Sequence, residues 1–180
     1  MSKGNILLHI TGSISCFKAC ALVSAVVKDG YEAQVTATES ALKFVGTATF
    51  EGLTGRPVLT DVFAGTPDFH PHITLAQHWA DILLVYPASA DSINRMAAGL
   101  ADDLFGALFL ANNFRKPVWI APAMNTEMLN HPAVQESLKK LSGWGAVILP
   151  SGEGRMSCGA EGVGRLLEPE ECLARIKAAL

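Results

Sequence analysis

The feature that most constrains this chain is a series of unbroken apolar segments alternating with stretches of helical spacing. Ile6–Ile10, Ala33–Thr38, Asp81–Tyr86, Pro117–Ala121 and Ala146–Leu149 read as strands. Between them, residues 15–28 place Phe17, Cys20, Val23 and Val27 at helical intervals, and shorter patterns follow near Ala41–Val45 and Thr49–Leu53. Further helices are expected over Ala90–Gly99, Asp103–Ala111, Thr126–Leu141 and Glu170–Ala179. Strands that are continuously apolar, rather than alternating, belong to a parallel sheet covered by helices on both faces. The expectation is an α/β, three-layer, Rossmann-like or flavodoxin-like fold, with residues 1–180 forming a single domain. Residues 62–72 and 150–165, rich in Gly and Pro, read as two long loops of the kind that carry function or move.

Composition narrows the class. The chain is 49% hydrophobic and only 17% charged, which suits a doubly covered sheet and subunits that bury surface against one another. A net charge of −3 offers no basic footprint for nucleic acid. No apolar run reaches the roughly 18 residues of a membrane span, and the first residues show no signal-peptide pattern. A cytoplasmic location with no membrane partner is expected. Four cysteines without a CxxC spacing read as reduced thiols. Cys16 and Cys20, four apart on one helix face, read as small core residues.

In such a sheet, ligands bind beyond the carboxyl ends of the strands. Thr11-Gly12-Ser13-Ile14-Ser15 joins the first strand to the first helix, and its glycine, hydroxyls and helix-start amides suit either a phosphate or an ordinary N-cap. It is not GxGxxG, so a dinucleotide is not indicated. Pro87-Ala88-Ser89-Ala90-Asp91-Ser92 offers small residues and hydroxyls after the most apolar strand. In Ala121-Pro122-Ala123-Met124-Asn125, the asparagine suits a helix cap or an amide donor to a carboxylate. Residues 154–165 form a Gly-rich segment around Cys158, which reads as a closing loop with a thiol or as a flexible surface loop. His70 and His72 lie near the ligand edge, where a histidine can serve as a base. With His78 they match no strong metal-binding spacing, and no metal is expected. His9 reads as a satisfied core or edge histidine, and His131 as a surface one.

Taken together, these segments resemble the homo-oligomeric flavin-containing Cys decarboxylases. That family's PASANT motif appears as PASADS (Pro87–Ser92), its PxMN motif as Pro122-Ala123-Met124-Asn125, and its substrate clamp as Ser157–Arg165 around Cys158. The family's active-site histidine, followed by Ile and then Trp-Ala-Asp, matches His72, Ile73 and Trp79-Ala80-Asp81. The likeness runs from about Ile6 to Glu168. It implies FMN as cofactor, held by Gly12, Ser13, Ile14, Thr38, Ser40, Phe44, Ala88, Ser89, Asp91, Ser92, Ala123 and Met124. It implies catalytic roles for His72 (acid/base or orienting group), Asn125 (carboxylate binding) and Cys158 (proton donor). It implies a clamp of Ser157, Gly159, Gly162, Gly164 and Arg165. The chemistry implied is oxidation at the cysteine by the flavin, which creates the electron sink that a plain carboxylate lacks.

Within the family, APAMN is similar to the branch acting on phosphopantothenoylcysteine in coenzyme A biosynthesis. Peptide-tailoring members, which act on a Cys-terminated peptide of lantibiotic type, and non-catalytic flavoprotein subunits are the alternatives. The resemblance also implies a homotrimer, or a dodecamer of trimers. Two positions depart from the motif: Asp91 stands for the usual Asn and Ser92 for the usual Thr. Asp91 loses an amide donor and adds charge that would repel a substrate carboxylate if it faced one. A substrate phosphate would call for a cation, with Arg95, Lys116, Arg155 and Arg165 available.

Overall fold

Five strands, β1 (Asn5–Ile10), β2 (Glu32–Ala37), β3 (Ile82–Ala88), β4 (Val118–Pro122) and β5 (Val147–Ile148), pair in parallel in the order β2-β1-β3-β4-β5 in the computed structural model. The structure describes residues 2–63, 66, 69–155, 159 and 161–180. Every residue of β3 is buried, as expected of a strand with helices on both sides. The strand order is that of a flavodoxin-like sheet.

Helices α1 (Cys16–Lys28), α3 (Thr47–Thr54) and α9 (Pro169–Ala179) cover one face, where Leu8, Ile10, Leu22, Phe50, Tyr86 and Ile176 share a core. The short α2 (Glu39–Leu42) follows β2. The other face carries α5 (Ala90–Ala98), α6 (Leu104–Asn112) and α8 (Pro132–Trp144), with a second core around Leu7, Val85, Met96, Leu108 and Leu141. The alternation along β1 explains the division: successive side chains point to opposite faces, so Leu8 and Ile10 enter one core and Leu7 the other.

Several elements differ from the sequence expectation. The strand expected to stop at Tyr86 continues through a cis Tyr86–Pro87 bond to Ala88. Its register shifts between Val85 and Ala88, so Pro87 sits at an irregularity where its missing N–H costs no ladder bond. The long helix expected over Thr126–Leu141 is two helices, α7 (Thr126–Asn130) and α8. The residue before a proline avoids helical backbone, and His131 is extended at that break. Its exposed side chain accepts from Ala133 N (3.2 Å) and caps α8. Within the stretch read as a loop over 150–165, β6 (Gly152–Arg155) and β7 (Glu161–Arg165) form an antiparallel pair. The segment before β3 begins as one helical turn, α4 (Pro71–Ile73), and continues as a π-helical stretch over Thr74–Trp79.

One extended piece was unforeseen. Leu59 runs beside β2, donating to Val35 O (3.1 Å) and accepting from Ala37 N (3.2 Å). It covers the outer edge of the sheet before the chain turns back.

Candidate functional site

The loops after β1 and β3 leave toward opposite faces, because α1 and α5 lie on opposite sides of the sheet. A crevice opens between them, which is where a sheet of this order takes a ligand. Thr11 ties its walls together. Its N–H and hydroxyl both donate to Pro87 O (3.3 and 2.8 Å), and its hydroxyl oxygen accepts from Ser89 N (2.8 Å). Thr38 N donates to Ile10 O and Ala123 N to Ala88 O, each at 3.0 Å, so four consecutive loops of the edge are bound side by side.

Gly12 is needed where two of them meet. A Cβ there would lie 2.6 Å from the Cβ of Ser40, so a larger residue would push the β1 and β2 loops apart. Among the described residues, no backbone carbonyl takes the amide of Gly12, Ser13 or Ile14. Ser13 Oγ accepts from Ser15 N (3.2 Å). Thr38 caps α2 by accepting from Ala41 N, and Ser89 caps α5 by accepting from Ser92 N while its hydroxyl meets that of Ser92 at 3.2 Å. Amides and hydroxyls collected at a strand edge make a seat for an anion such as a phosphate.

A cavity of about 300 Å³ lies on one side of this crevice, lined by Ser13, Ile14, Lys18, Asn125, Arg155 and Arg165 among others. The β6–β7 hairpin forms its wall. Met124 N donates to Gly164 O (3.0 Å) and the Thr126 hydroxyl to Val163 O (2.8 Å), which docks the hairpin on the loop after β4. Gly164 has φ +141°, and a Cβ on it would overlap the carbonyl oxygen of Met124. Glycine is therefore what lets the hairpin lie against Asn125. The Asn125 oxygen caps α7 by accepting from Glu127 N (2.8 Å). Lys18 is held by Glu168 at 2.7 Å, and Arg165 reaches the same carboxylate at 3.5 Å.

A second cavity, of about 310 Å³, opens on the α6 side, with His9, Thr38, Asp91, Arg95, Asp103 and Phe105 in its lining. Arg95 pairs there with Asp102 and Asp103. Asp91 thus faces this cavity and does not line the cleft of Asn125. His9 is buried, and burial lowers its pKa to about 3, so it is neutral. Its expected satisfaction is only half met: Nδ1 lies 2.8 Å from Thr36 Oγ1, but Nε2 has no partner among the described residues.

The remaining site residues are placed as follows. Ser92 is buried in a small pocket with His9, Thr38 and Asp91, and Ala88 and Ala123 are buried where β3 and β4 end, Ala123 lining the Asn125 cleft. Met124 lines the Asn125 cleft. Phe44 and Ile14 are 50% and 56% exposed, and Phe44 lines neither cavity. His72, on α4, also lines neither. The helical stretch that begins with α4 ends beside the start of β1, where Asp81 N donates to Asn5 O, so its first turn lies toward the carboxyl edge. His72 Nδ1 is buried without a partner among the described residues. Gly159 is exposed and Gly162 lies in β7. Ser157 and Cys158 lie outside the described residues. Burial pushes the thiols of Cys16, Cys20 and Cys172 up, the last to about 12, which suits structural fillers. Of the candidate cations, Arg155 and Arg165 reach the Asn125 cleft, while Lys116 pairs with Asp81 at 3.8 Å. No group of three or more metal-ligating side chains exists among the described residues. Lys18 escaped the sequence reading as a site residue, and Thr11, read there only as part of the motif after β1, is the residue that ties the crevice walls.

A family model described as Flavoprotein matches residues 1–180, and the chain belongs to that family. Among its curated relatives is the coenzyme A biosynthesis bifunctional protein CoaBC of Mycobacterium tuberculosis (strain ATCC 25618 / H37Rv). It is 46% identical over 166 residues, which are 92% of this chain and 39% of that protein. The chain thus spans about two fifths of the length of the curated relatives it matches. A solved PPC decarboxylase, a cysteine-to-serine variant complexed with pantothenoylaminoethenethiol, superposes with a TM-score of 0.88 at 29% identity, covering 98% of this chain and 97% of that one. The FMN-dependent cysteine decarboxylase SpaF superposes at 0.82 with 28% identity, covering 99% of both.

Proposed function

We propose that this chain is an FMN-dependent decarboxylase that converts phosphopantothenoylcysteine to phosphopantetheine in coenzyme A biosynthesis. The observation that carries the reading is the cleft in which Asn125 and three cations, Lys18, Arg155 and Arg165, stand beside the donor-rich crevice. An acid with a phosphate at one end and a carboxylate at the other meets a partner for each. The likeness to CoaBC and to the PPC decarboxylase supports this substrate.

The crevice fits FMN. The amides of Gly12, Ser13 and Ile14 and the hydroxyls of Thr38, Ser40, Ser89 and Ser92 suit its phosphate and polyol. Ala88, Ala123 and Met124 leave room for a flat ring, and the exposed faces of Ile14 and Phe44 offer apolar cover. When bound, FMN would supply a two-electron oxidation that gives the electrons left behind by CO2 somewhere to go, and would return two electrons afterwards, so that the net change is loss of CO2 alone.

The chain's own residues would do the rest. Asn125 would bind the substrate carboxylate, its Oδ1 capping α7 by accepting from Glu127 N. The docked hairpin walls the cleft on one side. His72 takes or orients the proton of the substrate thiol, and Cys158 returns a proton to carbon after CO2 has left. Asp91, set in the other cavity, is spared any clash with the carboxylate.

Among the described residues His72 does not line the Asn125 cleft, and Ile14, Phe17, Phe44 and Phe63 are exposed. Both observations support a homotrimer, or a dodecamer of trimers, in which a neighbour's His72 completes the site. A cytoplasmic location goes with the coenzyme A reading, and among the described residues no helix is long and apolar enough to cross a membrane.

Mass spectrometry of the yellow protein incubated anaerobically with phosphopantothenoylcysteine tests the proposal. The expected product has lost CO2 alone. Loss of CO2 and two hydrogens would move the chain to the peptide-tailoring branch that the likeness to SpaF keeps in view. No reaction with FMN bound would point to a non-catalytic flavoprotein subunit.

A further inference from the structure

His9 has no part in the proposed reaction, yet it is the polar residue of an otherwise apolar stretch of β1. The β1–β2 register sets it opposite Thr36, with Nδ1 and Thr36 Oγ1 2.8 Å apart. Its ring lies flat on Phe105, centroids 3.7 Å apart and planes 3° from parallel. These two contacts fix the ring's position and its plane.

The Thr36 contact also bears on its proton. With the Thr36 hydroxyl donating to Nδ1, the neutral imidazole carries its hydrogen on Nε2. That Nε2–H is buried and has no acceptor among the described residues. Buried donors are almost always paired, because an unpaired one forfeits its water without compensation. An acceptor for it would have to come from beyond the described residues.

The cavity beside it indicates what kind. Arg95 is spent on Asp102 and Asp103, which leaves Asp91 and a surplus of carboxylates facing the space. A phosphate would be repelled here and drawn instead to the amides at Gly12–Ile14 and the hydroxyls of Ser89 and Ser92. A neutral acceptor is welcome. Resting on the FMN reading above, we infer that His9 Nε2–H donates to a neutral oxygen or nitrogen of bound FMN, in its polyol or ring edge. His9 is then a cofactor-binding residue, and the carboxylates orient the ligand with its phosphate at the far end.

Two measurements test this. The first is FMN affinity by fluorescence quenching in flavin-stripped protein and its His9→Phe variant, which keeps the stack on Phe105. The variant should bind FMN about tenfold more weakly, the ratio that one neutral hydrogen bond sustains. The second needs no variant: in protein with ¹⁵N-labelled histidine, the Nε2–H resonance of His9 should move when FMN is added. An affinity within about twofold of the parent, with an unmoved resonance, would overturn the role of His9 while leaving flavin binding in place. If the parent chain itself binds no FMN, the flavin reading falls, and the inference with it.

Discussion

His72 sits on a single helical turn, with Nδ1 buried and no partner for it among the described residues. His72→Asn keeps a polar group near Nδ1 but cannot shuttle a proton, so CO2 release should fall on the order of a hundredfold or more. Flavin absorbance of the purified variant should match that of the parent; a variant with normal CO2 release removes His72 from the reaction. Asn125 stood out in the sequence because it lies in a motif at a strand end, and His72 because Ile73 and a Trp-Ala-Asp run follow it. Asp91 was legible as a departure, but its direction was not, since the sequence cannot say which side of α5 a first-turn residue overlooks. His9 was misjudged for a related reason. Whether a core histidine is satisfied depends on both nitrogens, and the partner of one of them, Thr36, is 27 residues away across the sheet.

At the scale of elements, the hairpin of β6 and β7 is the piece on which the cleft depends. Its contact with the loop after β4 runs through Gly164, whose left-handed backbone and lack of Cβ are both required. Gly164→Ala should lift the hairpin from Asn125, raising KM about tenfold or more while FMN affinity stays unchanged. That loss corresponds to the 1–3 kcal/mol typical of strain at a special backbone position. Faster limited proteolysis between residues 150 and 165 would accompany it, and a variant with parental KM and proteolysis would show that the docking is dispensable. The hairpin was invisible to pattern reading because its glycines break the apolar alternation that marks a strand. The break between α7 and α8, by contrast, was present in the sequence as His131-Pro132, a signal outweighed by the periodicity on either side of it.

The whole molecule carries a pH signature of its core. His9 is neutral when folded, with a pKa lowered to about 3 from the ordinary 6.5. Between those values the unfolded chain takes a proton that the native chain refuses, so stability is full above 6.5 and is lost as pH falls toward 3. Thermal melts of the parent should decline across that window, and His9→Phe should flatten the decline; equal slopes would mean that other groups dominate. Asp29, held below its ordinary value by Lys177 and Lys3, adds a loss in the same direction only in more acid solution. At this scale the class of fold was legible from continuous apolar runs alternating with helical spacing, the pattern of a parallel sheet covered on both faces. The strand order was not, because periodicity reports faces and says nothing of neighbours.

The Leu59 segment and the brevity of β5 together decide how this molecule can meet others. One margin of the sheet is already hydrogen-bonded to Leu59, and the other offers two residues. A foreign strand finds almost no template to extend, so the chain is guarded against the runaway β-stacking that ends in fibres. Copies can meet through helices and loops without that hazard.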